Sequence, residues 1–125
     1  MSAVQPSIAT ALLRRSPARL RASAAAAHRK WASGIYLAWY PIKERAAADA
    51  LARRLRQSGM AKILRAELSV AAPRVAAELR ACGLVVINPP WTLAGELAVL
   101  LPELARALSV AGVGSHRVDW LAGEK

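Results

Sequence analysis

The residues whose types and order most clearly suit a chemical role are Asn88, Pro89, Pro90 and Trp91, which directly follow an apolar run. The Asn88 side-chain oxygen and a proline carbonyl can each accept a hydrogen bond from the exocyclic amino group of a nucleobase, which localises the lone pair of that nitrogen. The Trp91 ring can stack on a base that has been taken out of its helix. These residue types in this order therefore indicate chemistry on a base amino group.

The four residues also fit the pattern (Asp/Asn/Ser)-Pro-Pro-(Tyr/Phe/Trp) of the amino-group DNA and RNA methyltransferases. A structural explanation stays open, in which a strand simply ends in a diproline turn followed by a packed Trp. The strand is predicted over Gly83–Asn88 because Leu84–Ile87 is a continuous apolar run, and it must end at the diproline, which has no N–H for a sheet ladder. We expect Asn88 and Trp91 at a strand end where open α/β sheets bind ligands.

Composition favours a nucleic-acid partner. The chain has 125 residues, 55% of them hydrophobic, and a net charge of +10. Residues 1–30 carry six Arg or Lys and no acidic residue. Such a balance favours RNA, DNA or another polyanion. We predict no membrane partner because no apolar run is long enough to span a bilayer, and no metal because the two histidines lack ligand spacing.

Hydrophobic periodicity predicts an α/β fold of four strands and two helices, half of a doubly wound sheet. The strands are predicted over Gly34–Pro41, Lys62–Val70, Gly83–Asn88 and His116–Leu121, and the helices over Lys43–Ser58 and from an N-cap at Thr92 to Leu108. The Lys62–Val70 strand alternates and should be half-buried. Pro102 should kink or split the second helix. The residues predicted to face the core are Ala47, Ala50, Leu51 and Leu55 in the first helix and Leu93, Leu97, Leu100, Leu101, Leu104 and Leu108 in the second.

The N-terminal segment differs in composition from the rest. Residues 1–22 are rich in Ala and Arg, and we predict that they are disordered and separate from a folded domain over residues 23–125. A transit peptide, a basic arm for RNA and an internal start in a longer reading frame all stay open. Without further strands before it, the strand at Gly34–Pro41 is expected to leave an unpaired sheet edge.

Basic side chains on the first helix and just before the first predicted strand are the candidates for RNA contact. Phosphate oxygens are bound chiefly by Lys and Arg, with little dependence on sequence. The alternative explanation is a helix face that is merely solvated. The predicted RNA-binding residues are Arg29, Lys30, Lys43, Arg45, Arg53, Arg54 and Arg56.

Five blocks of sequence together resemble a known family. GIYLAWYPIKER, AKILRAELSV, CGLVVINPPWTL, LPELARAL and GSHRVDWL occur in this order. From about Ala25 to Leu121 the chain resembles the C-terminal part of the RlmJ family. The resemblance implies the C-terminal half of a class I, Rossmann-like methyltransferase sheet. It also implies cytoplasmic methylation of an adenine N6 in 23S ribosomal RNA, with S-adenosylmethionine as donor.

The resemblance also implies what the chain lacks. The family's catalytic Asp-Pro-Pro-Tyr precedes the strand that matches GIYLAWYP, and this sequence contains no such tetrad. Asn88-Pro89-Pro90-Trp91 matches a later element. The one Gly-x-Gly, Gly112–Gly114, lies between a predicted helix and a strand, the wrong context for a cofactor loop. We therefore expect a truncated enzyme that neither binds S-adenosylmethionine nor acts alone, and that needs a missing N-terminal half. The alternative is a non-catalytic basic fragment that binds RNA.

Overall fold

Five strands and two helices form the part of the chain that the computed structural model describes, residues 8–12, 26, 29, 33–71 and 79–123. The α/β fold predicted from the sequence is confirmed, and each of the four predicted strands and both helices is present. The elements are β1 (Ile8–Leu12), β2 (Ile35–Pro41), α1 (Arg45–Arg56), β3 (Ile63–Ser69), β4 (Ala81–Ile87), α2 (Leu93–Leu108) and β5 (Ser115–Ala122).

The strands form one sheet in the order β1-β2-β4-β3-β5. β1 and β2 are parallel, whereas β4 is antiparallel to both of its neighbours and β5 is antiparallel to β3. Strands β1, β2 and β3 therefore point the same way. We refer to the edge at which these three strands end as the carboxyl edge, and to the opposite edge, where β4 and β5 end, as the amino edge.

The two helices cover opposite faces of this sheet. On the α1 face, the helix residues Leu51 and Leu55, each 1% exposed, pack in one cluster with Ile63 of β3. Successive strand residues point to opposite faces, so Leu64 faces α2, which packs on β3 and β5 through its buried Leu101. Complete burial of such a leucine contributes about 1.5–3 kcal/mol, so these helix–sheet contacts account for much of the core.

The inner strand β3 is buried on both faces, so the prediction of a half-buried strand is wrong. Its five residues from Ile63 to Glu67 are all buried, including the charged Arg65 and Glu67. The reason is its position between β4 and β5, with α1 above one face and α2 above the other. Charged groups in such a position must be paired, and both of them are.

The inner faces of the helices differ in detail from the predictions. In α1, Ala47 is exposed and Ala50 only half-buried, and the buried residues are Ala48, Leu51, Ala52 and Leu55. The predicted stripe was therefore wrong at both alanines, because the buried face is centred slightly farther round the helix. The C-cap of α1 is Gln57, and Gly59 follows two residues later with a φ of 82°, a left-handed conformation that suits glycine.

Helix α2 continues without a break through Pro102, so the predicted split is wrong. Leu101 is buried, but Leu100 is 49% and Leu108 52% exposed, which contradicts their predicted place in the core. Leu100 is rotated by about 100° from Leu101, away from the sheet. Thr92 does occupy the N-cap position, although its side chain makes no capping hydrogen bond.

Strand β1 lies within the segment that was predicted to be disordered. It pairs in parallel with β2, from Ile8 opposite Ile35 to Leu12 opposite Trp39. β2 is thus paired on both sides, and the expected unpaired edge at β2 is wrong. Most of residues 1–22 lies outside the described residues, so the proposed domain boundary at residue 22 stays a prediction.

Candidate nucleic-acid interface

Asn88 joins three strand ends at the amino edge. It adopts a left-handed backbone conformation with a φ of 57°, which Asn tolerates better than most residues. Its backbone N–H donates to the Lys62 carbonyl over 2.9 Å, and its side-chain Nδ2 donates to the Gly34 carbonyl over 2.9 Å. Asn88 therefore ties the end of β4 to the residues that precede β3 and β2.

The Asn88–Trp91 tetrad consequently lies at the edge opposite the one we expected. Ligands in open α/β sheets bind at the carboxyl ends of the parallel strands, whereas β4 runs antiparallel and ends at the amino edge. The side chain of Trp91 is 94% exposed and is not packed. The Pro90 carbonyl accepts a hydrogen bond from the Leu93 N–H over 3.0 Å, at the start of α2. The catalytic role of the tetrad therefore stays a prediction from pattern alone.

A buried carboxylate, Glu67, organises the α1 face of the sheet. The Tyr40 hydroxyl donates to Glu67 Oε2 over 2.7 Å, and an Arg45 guanidinium N–H donates to the same oxygen over 2.9 Å. Tyr40 and Glu67 lie on either side of Gly83 in the sheet register, so the tyrosine ring must cross β4 to reach the carboxylate. A Cβ on Gly83 would lie 2.3 Å from Tyr40 Cζ, which shows that this crossing requires glycine.

The pKa values of both partners of Glu67, Tyr40 and Arg45, are raised. Burial raises the pKa of the Tyr40 phenol far above its usual value, and the hydrogen bond to Glu67 raises it further. The pKa of Arg45 is raised chiefly by its hydrogen bond to Glu67. Arg45 also donates to Asp49 Oδ1 over 3.1 Å. Although Arg45 was predicted to contact RNA, its guanidinium is thus already bonded to two carboxylates.

A second ion pair joins β3 to β5. Arg65, whose side chain is 5% exposed, donates from Nε to Asp119 Oδ1 over 2.8 Å and from NH2 to Oδ2 over 2.6 Å. This two-point geometry is the strong form of an Arg–carboxylate pair. The Arg65 hydrogen bond lowers the pKa of Asp119, and the same bond raises the pKa of Arg65. Sequence reasoning missed this pair because the two residues are 54 positions apart.

A groove of about 510 Å³ runs between α1 and β5 on this face. Four of its side chains are arginines and two are aspartates. Arg65 and Asp119 neutralise each other, so the groove has an excess of positive charge. We call this surface the α1–β5 groove; it is lined by Asp49, Ala52, Arg53, Arg56, Arg65, Arg117 and Asp119.

The predicted RNA-binding residues fall into separate groups. Lys43 is exposed at the carboxyl edge, just after β2. The other arginines of α1 lie at its far end, about 16 Å along the helix axis from Arg45 to Arg56. Arg53 and Arg56 line the α1–β5 groove, whereas Arg54 lies outside its lining.

Two further candidates lie before β2, and one groove residue was not predicted. Arg29 is exposed, and Lys30 lies outside the described residues. Arg117 of β5 lines the groove but was missed from the sequence. The signal that could have found it is the alternation of β5, which puts Arg117 on the same face as Asp119.

The Gly112–Gly114 segment does not have the form of a cofactor loop. In the Gly112–Gly114 segment, Gly114 N donates to Ser109 Oγ over 2.8 Å, and a Cβ on Gly114 would lie 2.5 Å from the Ala105 carbonyl oxygen. These glycines therefore close a turn against the end of α2 and form no cradle for S-adenosylmethionine.

Within residues 8–12, 33–71 and 79–123 and the two isolated positions, no group of three or more His, Cys, Asp and Glu side chains can hold a metal ion. None of the helices described is long and apolar enough to cross a membrane.

Three strands of the sheet, β1, β2 and β3, point one way, and β4 and β5 point the other. The sheet is the C-terminal half of a class I methyltransferase sheet, as the resemblance implied. The chain belongs to the family described as ribosomal RNA large subunit methyltransferase D, RlmJ, whose model matches residues 15–122. That match begins earlier than the resemblance noted from the sequence and includes part of the basic N-terminal segment.

Individual relatives agree with this assignment. The chain is 37% identical over 97 residues to ribosomal RNA large subunit methyltransferase J of Haemophilus influenzae, covering 78% of this chain and 34% of that protein. Over the same length it is 36% identical to the protein of that name in Escherichia coli, covering 78% and 35%. The crystal structure of protein LPL1258 from Legionella pneumophila superposes with a TM-score of 0.78 at 26% identity, over 94% of this chain and 43% of that one. The chain thus spans about a third of the length of the curated relatives.

Proposed function

We propose that the chain is the C-terminal part of a methyltransferase that transfers a methyl group from S-adenosylmethionine to an adenine N6 of 23S ribosomal RNA in the cytoplasm. The observation that supports it is the family match over residues 15–122 on a sheet of the corresponding architecture. Two relatives named for ribosomal RNA methylation support the substrate class. The chain contributes a rigid C-terminal half-sheet and a basic surface, and a separate N-terminal half supplies the cofactor site.

The geometry supports inactivity of the chain on its own. The Gly112–Gly114 segment closes a turn against the end of α2. The Asn88 side-chain amide donates a hydrogen bond to a backbone carbonyl at the amino edge. Neither element can therefore bring a methyl donor and an acceptor base together. The chemistry that S-adenosylmethionine supplies is an activated methyl group, and this chain's own residues hold RNA next to it.

Calorimetry with S-adenosylmethionine and a tritium-transfer assay on unmodified 23S ribosomal RNA test this proposal. We expect no saturable binding and no transfer by the chain alone, and transfer when the N-terminal two thirds of the Haemophilus influenzae relative is added. The full-length relative is the positive control. Micromolar cofactor binding with transfer by the isolated chain would contradict the proposal and return Asn88 to the list of catalytic candidates, which Asn88→Ala would then test.

A non-catalytic RNA-binding fragment is the second candidate. The observation that favours it is a set of exposed cations for which the structure shows no ion pair to any described residue, Lys43, Arg53, Arg54 and Arg56. RNA binding that falls steeply with salt is expected under both candidates, because phosphate contacts release counterions. Failure of the added N-terminal part to restore transfer, with RNA binding intact, would favour the fragment.

A further inference from the structure

We propose that the α1–β5 groove binds the phosphodiester backbone of RNA through Arg53, Arg56 and Arg117. This inference rests on the RNA-binding role proposed above and assigns that role to one surface. It adds Arg117, and it excludes Lys43 and Arg54, which share the charge but not the groove.

The carboxylates described near the groove are each bonded to an arginine other than Arg53, Arg56 and Arg117. Asp49 and Glu67 are bonded to Arg45, over 3.1 and 2.9 Å. Asp119 is bonded at two points to Arg65. Among the described residues, Arg53 and Arg56 make no ion pair, and Arg117 makes only a 3.9 Å pair with Glu67.

The nearest carboxylate oxygen to Arg117 is Glu67 Oε1 at 3.9 Å, too far for a hydrogen bond, and the Arg117 side chain is 50% exposed. Glu67 already receives shorter bonds from Tyr40 and Arg45. The guanidinium of Arg117 can therefore turn to an incoming anion without breaking a strong contact.

The groove holds its arginines on two regular elements, helix α1 and strand β5. Arg53 and Arg56 are three residues apart on α1, so they lie on one helix face with Cβ atoms about 5–6 Å apart. Across the groove, Arg117 is held on β5, whose register with β3 is fixed by the Arg65–Asp119 pair. Guanidinium groups on a helix and on a strand thus face one channel, and guanidinium suits two-point binding of phosphate oxygens.

The lining of the groove favours the RNA backbone over the bases. None of the described residues that line it is aromatic, so they offer no platform on which bases could stack. Binding should therefore be directed at the backbone and insensitive to base sequence. A net charge of +10 on the whole chain adds a general attraction to polyanions.

The test compares the triple variant Arg53→Gln, Arg56→Gln, Arg117→Gln with the control Lys43→Gln, Arg54→Gln. The probe is a labelled 23S ribosomal RNA fragment, with a shuffled sequence of the same length beside it. The dependence of log Kobs on log salt is measured for each protein. Each lost phosphate contact lowers the slope by about 0.7–0.9, so the triple variant should lose about 2–3 units. The control should keep the wild-type slope, and both probes should bind equally.

A third protein separates charge from fold. Lysine in place of all three groove arginines keeps the charge but loses two-point binding, so its salt slope should stay near wild type while its affinity falls. Circular dichroism and urea unfolding of every variant check that the fold is intact. All three arginines are exposed or partly exposed, which favours folded variants.

Each result has a distinct meaning. An equal loss in the groove variant and in the control would overturn the groove assignment while leaving RNA binding in place. A loss in the control alone would do the same and would move the site to the carboxyl edge or the outer face of α1. Absence of saturable RNA binding by the wild-type chain would overturn the proposed RNA-binding role itself.

Discussion

Replacement of Gly83 by alanine probes the crossing of Tyr40 over β4. The new Cβ would lie 2.3 Å from Tyr40 Cζ and 2.5 Å from its hydroxyl oxygen, whereas ordinary contacts begin near 3.4 Å. The ring must therefore move by about 1.1 Å, the difference between 3.4 and 2.3 Å. Tyr40 is only 2% exposed, so it has no open space to move into.

The expected loss of stability is about 2–5 kcal/mol. Overpacking of a core contributes about 1–3 kcal/mol. Displacement of the ring also weakens its 2.7 Å hydrogen bond to Glu67, and a hydrogen bond to a charged group is worth about 1.5–3 kcal/mol. Alanine loses less backbone entropy on folding than glycine does, and this offsets about 0.5–1 kcal/mol of the loss.

Urea unfolding followed by far-UV circular dichroism at pH 7 measures the effect. Gly95→Ala is the matched control, because nothing lies within 4 Å of its Cβ position in α2, and it should stabilise the protein by about 0.5–1 kcal/mol. In a Tyr40→Leu background, which removes the two clashing ring carbons and the clashing hydroxyl oxygen, Gly83→Ala should lose most of its effect. A loss below 1 kcal/mol, or an equal loss in both backgrounds, would refute the steric argument.

Two further predictions concern the ionised groups. Arg65 lowers the pKa of Asp119, so Asp119 contributes stability that is present above its unfolded pKa of about 3.9 and lost as the pH falls through the lowered value. Asp119→Asn should flatten this acid limb in pH-dependent unfolding. At neutral pH it should destabilise the protein by about 1–3 kcal/mol, less than loss of a fully buried pair would, because the Asp119 side chain is 37% exposed. An unchanged acid limb would contradict this prediction. The raised pKa of Tyr40 has the opposite sign: its stability is complete below about pH 10 and falls at higher pH, as the unfolded chain ionises while the native phenol stays protonated. Tyr40→Phe should abolish that alkaline loss and remove about 1.5–3 kcal/mol at neutral pH, and spectrophotometric titration that ionises Tyr40 near pH 10 in the folded state would sink the argument.

The order of elements could be read from the sequence, but the direction of the strands in the sheet could not. The apolar run at Leu84–Ile87 and the diproline after it predict where β4 begins and ends. Nothing local says that β4 inserts between β2 and β3 and runs against both. That insertion places Asn88 at the amino edge. The predicted position of the tetrad is therefore wrong, although the strand before it was predicted correctly.

The charged residues show the same limit. Arg65 and Glu67 alternate with apolar residues, which locally favours a solvent-exposed face. Their burial depends on partners in other elements, Asp119 of β5 for one and Tyr40 of β2 for the other. Strand β1 was missed for a similar reason, since Ile8–Leu12 is short, has no apolar–polar alternation, and becomes a strand through pairing with β2.

The insertion of β4 also has a consequence for synthesis on the ribosome. β2 ends at Pro41 and its partner β4 starts at Ala81, so 40 residues (81 minus 41) must be translated before the ladder can begin to form. At about 5–20 residues per second this takes about 2–8 s. During that interval β2 exposes one side of its backbone and an aromatic-rich sequence, and β1 can protect only the other side. We expect nascent chains to be most prone to aggregation, and most dependent on chaperones, in this window.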